Sequence, residues 1–355
     1  PLDRVELLGA QPAHGVVLAL ARDRLAVGER REGDLQRVAL ADRHLAAQVA
    51  GDLDATAELL RDLADDRLLR AALVDAGAEV HAVTWTDDHP WADFDLVVVR
   101  STWDYFLRPD EFAAWIDRLE ESGAAILNPL PVIRWNGDKR YLLELENRGV
   151  RIVPTAFIEP GDEAAQPLAT VLESRGWTDA VVKPSISGGA HLTWRTSSQA
   201  ADEVRYRELI RGRNGGVLVQ PFLPEVLTDG ELSLIFLDGV FSHAAVKRPK
   251  PGDFRVQQEH GGLYAPARPA AGIIEQAKAV IAAAAALTGV APASLAYARV
   301  DGIVRHQDGR DELMLMELEC IEPSLFFRQH PAAAGQMAGS LLARARSRVE
   351  SRAGA

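Results

Sequence analysis

Apolar residues recur at two spacings along this chain, and the switch between them marks out its elements. Alternating or continuous apolar runs, the mark of strands, fall at residues 15–20, 37–41, 78–84, 96–99, 150–158, 179–183, 191–195 and 216–223. Spacings of three and four, the mark of helices, fall at 45–63, 67–75, 109–121, 140–147, 273–287 and 333–351. Asp65-Asp66 stand where a helix is capped, Pro109 opens a helix, and Gly77 and Gly149 stand just past helix ends. Strands alternate with helices over residues 37–134, which predicts an open parallel α/β unit with ligands beyond the carboxyl ends of its strands. Residues 1–36 read as an extension of unknown role ahead of it.

Two hairpins follow. Residues 231–237 and 240–246 flank Asp238-Gly239, a turn pair that favours tight hairpins. Residues 298–304 and 313–320 flank Asp308-Gly309 in the same way. Centred on Gly309, the second hairpin sets Asp301 opposite Glu317 and Arg299 opposite Glu319, all on one face because strand side chains alternate. Val300, Leu318, Val304 and Met314 then form the other face. Three carboxylates and one guanidinium so placed suit either a divalent cation or a solvated sheet face with ordinary ion pairs.

Composition narrows the class. The chain has 355 residues, 47% hydrophobic and 25% charged, enough for two or three domains. Its formal net charge of −12 argues against a nucleic-acid partner. A single cysteine, Cys320, excludes a disulfide framework and a cysteine-ligated zinc site. No run reads as a membrane span or signal peptide, so no membrane partner and a cytoplasmic location are expected. A homo-oligomer remains an open option.

Several stretches carry candidate chemistry. Arg100-Ser-Thr-Trp-Asp-Tyr105 ends the buried run at 96–99, and Arg100, Ser101, Thr102 and Asp104 suit a small zwitterionic ligand better than a plain helix cap. Lys139 opens a helix. Lys183 ends an apolar strand and leads into Ser187-Gly188-Gly189, where glycines let backbone N–H groups approach phosphate oxygens. Gln220-Pro-Phe222-Leu223 leaves that subdomain, Glu231 opens the first hairpin, and Lys247, Arg248, Lys250 and Arg255 form a basic cluster in an acidic chain. Each signal alone has a bland reading as a solvated loop or turn.

Their order is specific. The succession over about residues 95–325 resembles the ATP-grasp ligases of the glutathione synthetase group. Arg134-Trp-Asn-Gly-Asp-Lys139, the Arg100–Tyr105 stretch and Glu322-Pro-Ser-Leu325 resemble, more narrowly, the O-ureido-serine cyclo-ligase of cycloserine biosynthesis and its relatives. The resemblance implies an α/β (α+β overall) ATP-grasp fold: residues 37–134 as substrate domain, 135–217 as lid, and 218–355 as metal-bearing domain. It implies ATP and Mg²⁺ (or Mn²⁺) as cofactors. Lys139, Lys183, Ser187, Gly188 and Gly189 would meet the phosphates, Gln220, Phe222 and Leu223 the adenine, and Glu231 the ribose. Lys247, Arg255 and Arg299 would be the catalytic cations, with Asp301, Glu317 and Glu319 as metal ligands. The implied reaction is carboxylate activation by ATP and attack by nitrogen, within one amino-acid-like molecule or between two; a binder without turnover is the alternative. Two departures stand out: Glu319 replaces a frequent asparagine, and Ser233 a frequent arginine.

Overall fold

Three sheets carry the chain in the computed structural model, which describes residues 16–21, 64–197, 199–307 and 309–353. The strand expected at 37–41 and the helix at 45–63 lie outside these residues.

The first sheet has the order β2-β1-β3-β4, from β1 (Val16–Ala21), β2 (Glu79–Thr84), β3 (Leu96–Ser101) and β4 (Ile126–Leu127). Strands β3 and β4 are parallel, but β1 runs antiparallel to both β2 and β3. The purely parallel sheet expected from the alternating elements is thereby corrected. A strand from the presumed extension lies between β2 and β3, and Val17, Leu18, Ala19 and Leu20 are all buried there. A strand apolar on both faces belongs inside a covered sheet. Helices Ala64–Asp75 and Ala332–Ala353 cover one face through Leu69, Leu73, Met337 and Leu341.

The second sheet is antiparallel with the order β5-β8-β6-β7, from β5 (Ala156–Ile158), β6 (Ala180–Pro184), β7 (Trp194–Thr196) and β8 (Val217–Pro221). The strand expected from 191 begins only at Trp194, because the chain turns through left-handed conformations at Gly189, Ala190 and Leu192.

The third sheet has the order β11-β10-β9-β12-β13, from β9 (Glu231–Leu237), β10 (Val240–Arg248), β11 (Leu263–Ala267), β12 (Tyr297–Gln307) and β13 (Arg310–Glu319). Asp301 pairs with Glu317 and Arg299 with Glu319, as the alternation predicts. Nearer the turn the pairing shifts by one residue at a bulge beside Gly302, where a Cβ would stand 2.5 Å from the Met314 carbonyl oxygen. Val304 therefore faces Leu313, and Met314 packs with Ile303 and Val153 in a separate cluster, which corrects its expected place beside Val300 and Leu318.

Helix Ala271–Thr288 packs Ile273, Ala277, Val280, Ile281 and Ala284 against this sheet. By length and composition it is apolar enough to cross a membrane, which corrects the expectation that no run is; one face of it packs on the sheet.

Strand β13 closes one edge of the sheet, and other segments satisfy its backbone. Asn136 accepts from Cys320 N–H (2.7 Å) and donates to Leu318 O (2.8 Å), and the Tyr141 hydroxyl both donates to Leu318 O and accepts from Leu318 N–H. Arg151 O accepts from Leu315 N–H, and Gln276 Oε1 from Leu313 N–H.

Candidate active site

The second and third sheets, with the stretch that follows β3, wall one cavity of about 480 Å³. The third sheet supplies its charged floor. From adjacent strands β9, β10, β12 and β13 come Glu231, Lys247, Arg299, Asp301, Glu317 and Glu319, all lining the cavity. Arg299 grips Asp301 with Nε (2.9 and 3.0 Å) and Nη2 (2.7 Å) and reaches Glu319 with Nη2 (2.5 Å). Lys247 Nζ lies 2.5 Å from Glu231 and 3.2 Å from Asp301. Ser233, where relatives often have arginine, donates to Asp301 at 2.5 Å.

These contacts set the charge states. Burial pushes the Asp301 carboxyl up, but Arg299 and Lys247 win and hold it at about 2. Burial and the neighbouring carboxylates Glu317 and Asp301 push Glu319 up to about 7 in spite of Arg299. Burial works against the Lys247 ammonium, yet Asp301 and Glu231 raise its pKa above the lysine norm.

The second sheet supplies the roof. Lys139 Nζ lies 3.0 Å from Glu317 and donates to the Ser187 carbonyl at 2.6 Å, so one ammonium ties the glycine loop to the acid strand. Lys183 lines the same cavity, and no hydrogen bond or ion pair holds its ammonium among the described residues. Burial, with Lys139 nearby, lowers its pKa despite Glu317. Gly188 packs so tightly on the Phe106 ring that a Cβ would come within 3.0 Å of it. Gln220 donates to Thr155 at 2.9 Å, which fixes the end of β8, and Phe222 is sandwiched by Arg195 (3.7 Å from ring centre to guanidinium) and Phe254. Gln220, Phe222 and Leu223 form the end of the cavity beside Lys183. Arg255 lines the wall, but Asp253 holds its guanidinium at 2.9 and 3.1 Å.

Four predicted residues do not line this cavity. Arg100 is 1% exposed, and donates to Asp66 (2.9 Å) and to the Pro323 carbonyl (3.1 Å). Ser101 donates to Asp66, Thr102 is wholly buried, and Asp104 accepts from Trp85 Nε1 (2.8 Å) and pairs with Arg108. Their expected role as direct ligands of a substrate is corrected to an internal one, since a buried charge needs a partner and Asp66 provides it. The same stretch does reach the cavity, through Trp103 and Tyr105. With Tyr264, Glu322, Ser324 and Phe326 these are the residues that sequence reasoning missed.

The acids fit a divalent cation only in part. Among the described residues no three carboxylates converge on one point, because Asp301 is turned to Arg299 and Lys247. Glu317 and Glu319 stand two residues apart on one strand face, and Mg²⁺ usually takes one or two carboxylates plus phosphate oxygens.

The chain is similar in sequence and in fold to known proteins. Residues 53–128 match the family model described as the amino-terminal domain of D-cycloserine synthetase DcsG. The cycloserine biosynthesis protein DcsG of Streptomyces lavendulae is 33% identical over 260 residues, covering 70% of this chain and 83% of that one. The chain belongs to the DcsG family of ATP-grasp ligases. The crystal structure of D-cycloserine synthetase DcsG superposes with a TM-score of 0.68 at 29% identity, over 79% of this chain and 94% of that one. D-alanine–D-alanine ligase of Bacillus anthracis follows with a TM-score of 0.53 at 17% identity, over 73% of this chain and 82% of that one, and shares the fold. The resemblance read from the motifs therefore stands. This member of the DcsG family is an ATP-dependent ligase that forms C–N bonds.

Proposed function

We propose that this enzyme activates the carboxylate of a small amino-acid-like substrate as an acyl phosphate and closes it onto a nitrogen of the same molecule. The observation that carries the reading is the one cavity lined together by Lys139, Lys183, Lys247, Arg299 and the acid pair. Cyclisation is favoured because the similar protein DcsG is a D-cycloserine synthetase, whose product is a cyclic amino-acid derivative.

Lysines offset phosphate repulsion and fix the γ-phosphoryl against the acceptor carboxylate. Its transfer breaks the bridging P–O bond, leaving ADP and an acyl phosphate. The glycine loop at Ser187–Gly189 keeps water from that intermediate. The nitrogen lone pair then attacks the acyl carbon, Arg299 stabilises the oxyanion, and the oxyanion's collapse expels phosphate as the nitrogen gives up its proton. Gln220, Phe222 and Leu223 seat the adenine and Glu231 the ribose. Glu317 and Glu319, with Asp301 nearby on the same sheet, would hold Mg²⁺. The ion supplies neutralisation of phosphate charge.

The test is product analysis by mass spectrometry after incubation with ATP, Mg²⁺ and small amino acids, O-ureidoserine among them. ADP and a dehydrated cyclic product without a second amine support the reading. ADP formed only when a second amine is added would move it to intermolecular ligation, and no ADP with any carboxylate would sink it.

A further inference from the structure

Glu322 lies in the cavity but outside the ion-pair scheme of its floor. Each of the other four cavity carboxylates has a cation of its own: Glu231 and Asp301 have Lys247, Asp301 and Glu319 have Arg299, and Glu317 has Lys139. Among the described residues no lysine or arginine pairs with Glu322. Trp103, whose indole Nε1 donates to the Glu322 carbonyl, lines the same cavity together with Tyr105 and Phe326. A carboxylate among aromatic faces is the usual chemistry of an ammonium receptor, since both the charge and the ring quadrupoles attract a cation.

Side chains from several separate segments hold the strap that presents Glu322. Asp65 accepts the N–H groups of Leu325 (2.8 Å), Phe326 (2.8 Å) and Phe327 (3.1 Å). Arg100, fixed by Asp66, donates to the Pro323 carbonyl at 3.1 Å, and Trp103 Nε1 donates to the Glu322 carbonyl at 2.9 Å. Phe326 sits at a φ of 53°, a left-handed conformation that a non-glycine residue keeps only where its surroundings enforce it. With Arg299 Nη1 on the Ser324 carbonyl (3.1 Å) and His243 Nε2 on the Leu325 carbonyl (2.8 Å), seven side-chain hydrogen bonds among the described residues reach the backbone of residues 322–327 from outside the strap.

We infer that Glu322 is the receptor for the cationic nitrogen of the amino-acid substrate, and that Asp65 is a positioning residue that holds it in place. The inference rests on the ligase reading and adds the requirement for a charged amino group. Like-charged Glu319 beside it raises the Glu322 carboxyl well above the usual range, after burial itself, and an arriving ammonium relieves both effects.

ADP release is measured with O-ureidoserine, serine and the α-hydroxy analogue of O-ureidoserine. The wild type should prefer the amino compounds. Glu322→Gln should raise the KM for O-ureidoserine roughly tenfold to a hundredfold, the usual size for loss of a buried charge partner. The KM for ATP, the Mg²⁺ dependence and activity on the hydroxy analogue should hold steady. Asp65→Asn, checked for folding by circular dichroism, should shift the same KM in the same direction and leave that for ATP alone. An unchanged preference for the amino group in Glu322→Gln, or an effect confined to ATP or Mg²⁺, would overturn the inference while leaving the ligase reading intact. Wild-type enzyme that releases ADP with none of these compounds would overturn both.

Discussion

Arg299 and Asp301, two residues apart on β12, form a forked ion pair in which both guanidinium edge nitrogens meet one carboxylate. A fork of this kind is specific to arginine, because lysine offers a point charge without the planar edge. Arg299→Lys should retain the fold and lose roughly a hundredfold to a thousandfold in kcat, the usual loss for an oxyanion donor. Steady-state ADP release and a thermal melt check this together. Arg299→Ala should also destabilise the protein by about 3–5 kcal/mol, since it strands a buried carboxylate.

Glu317 holds Lys139 at 3.0 Å and, with Glu319, forms the acid pair proposed to take the metal. Glu317→Gln keeps the volume and removes the charge. Turnover should vanish within detection while the circular dichroism spectrum stays that of the wild type; retained turnover would refute the metal assignment.

Lys183 has no partner of its own in the cavity, unlike Lys139 and Lys247. Its charge is thus free to meet a phosphate. Lys183→Met should raise the KM for ATP by roughly tenfold to a hundredfold, with little change in melting temperature because no ion pair is lost. Isothermal titration with a nonhydrolysable ATP analogue separates affinity from rate.

His243 gives a pH signature away from the chemistry. Its Nε2–H donates to the Leu325 carbonyl at 2.8 Å, its ring stacks on His330 at 4.8 Å, and burial lowers its pKa to about 4. The unfolded chain has an ordinary histidine near 6.5, about the model-peptide value, so between these limits the unfolded state binds the extra proton. Stability from this residue is full above about pH 6.5 and falls as the pH drops towards 4. Melting temperatures recorded across that window should decline with acid, and His243→Gln should flatten the decline.

The acid hairpin was legible because strand alternation places residues 299, 301, 317 and 319 on one face whatever the rest of the fold does. The register also survived an error at the turn. A centre on Gly309 misplaces the pairs near the loop, and the bulge at Gly302 restores those at the acid end. Roles in the 100–105 stretch were not legible, for a physical reason. Whether a polar side chain faces a ligand or an internal partner depends on residues such as Asp66, 34 positions away. Asp65 read as a helix cap, and its actual targets lie 260 and more positions downstream. The strand at Val16–Ala21 was visible as an apolar run, but nothing local to it says that it enters between β2 and β3.

The closed edge of β13 has a bearing on solution behaviour. A terminal strand normally protects itself from pairing with another molecule through lysine, proline or short length. β13 runs ten residues, and its carboxyl end is occupied by acids that the chemistry needs. Here protection is delegated: Asn136, Tyr141, Arg151 and Gln276 occupy the exposed backbone from outside. A substitution such as Gln276→Ala, which touches no wall of the cavity, would therefore be felt first as a tendency to aggregate.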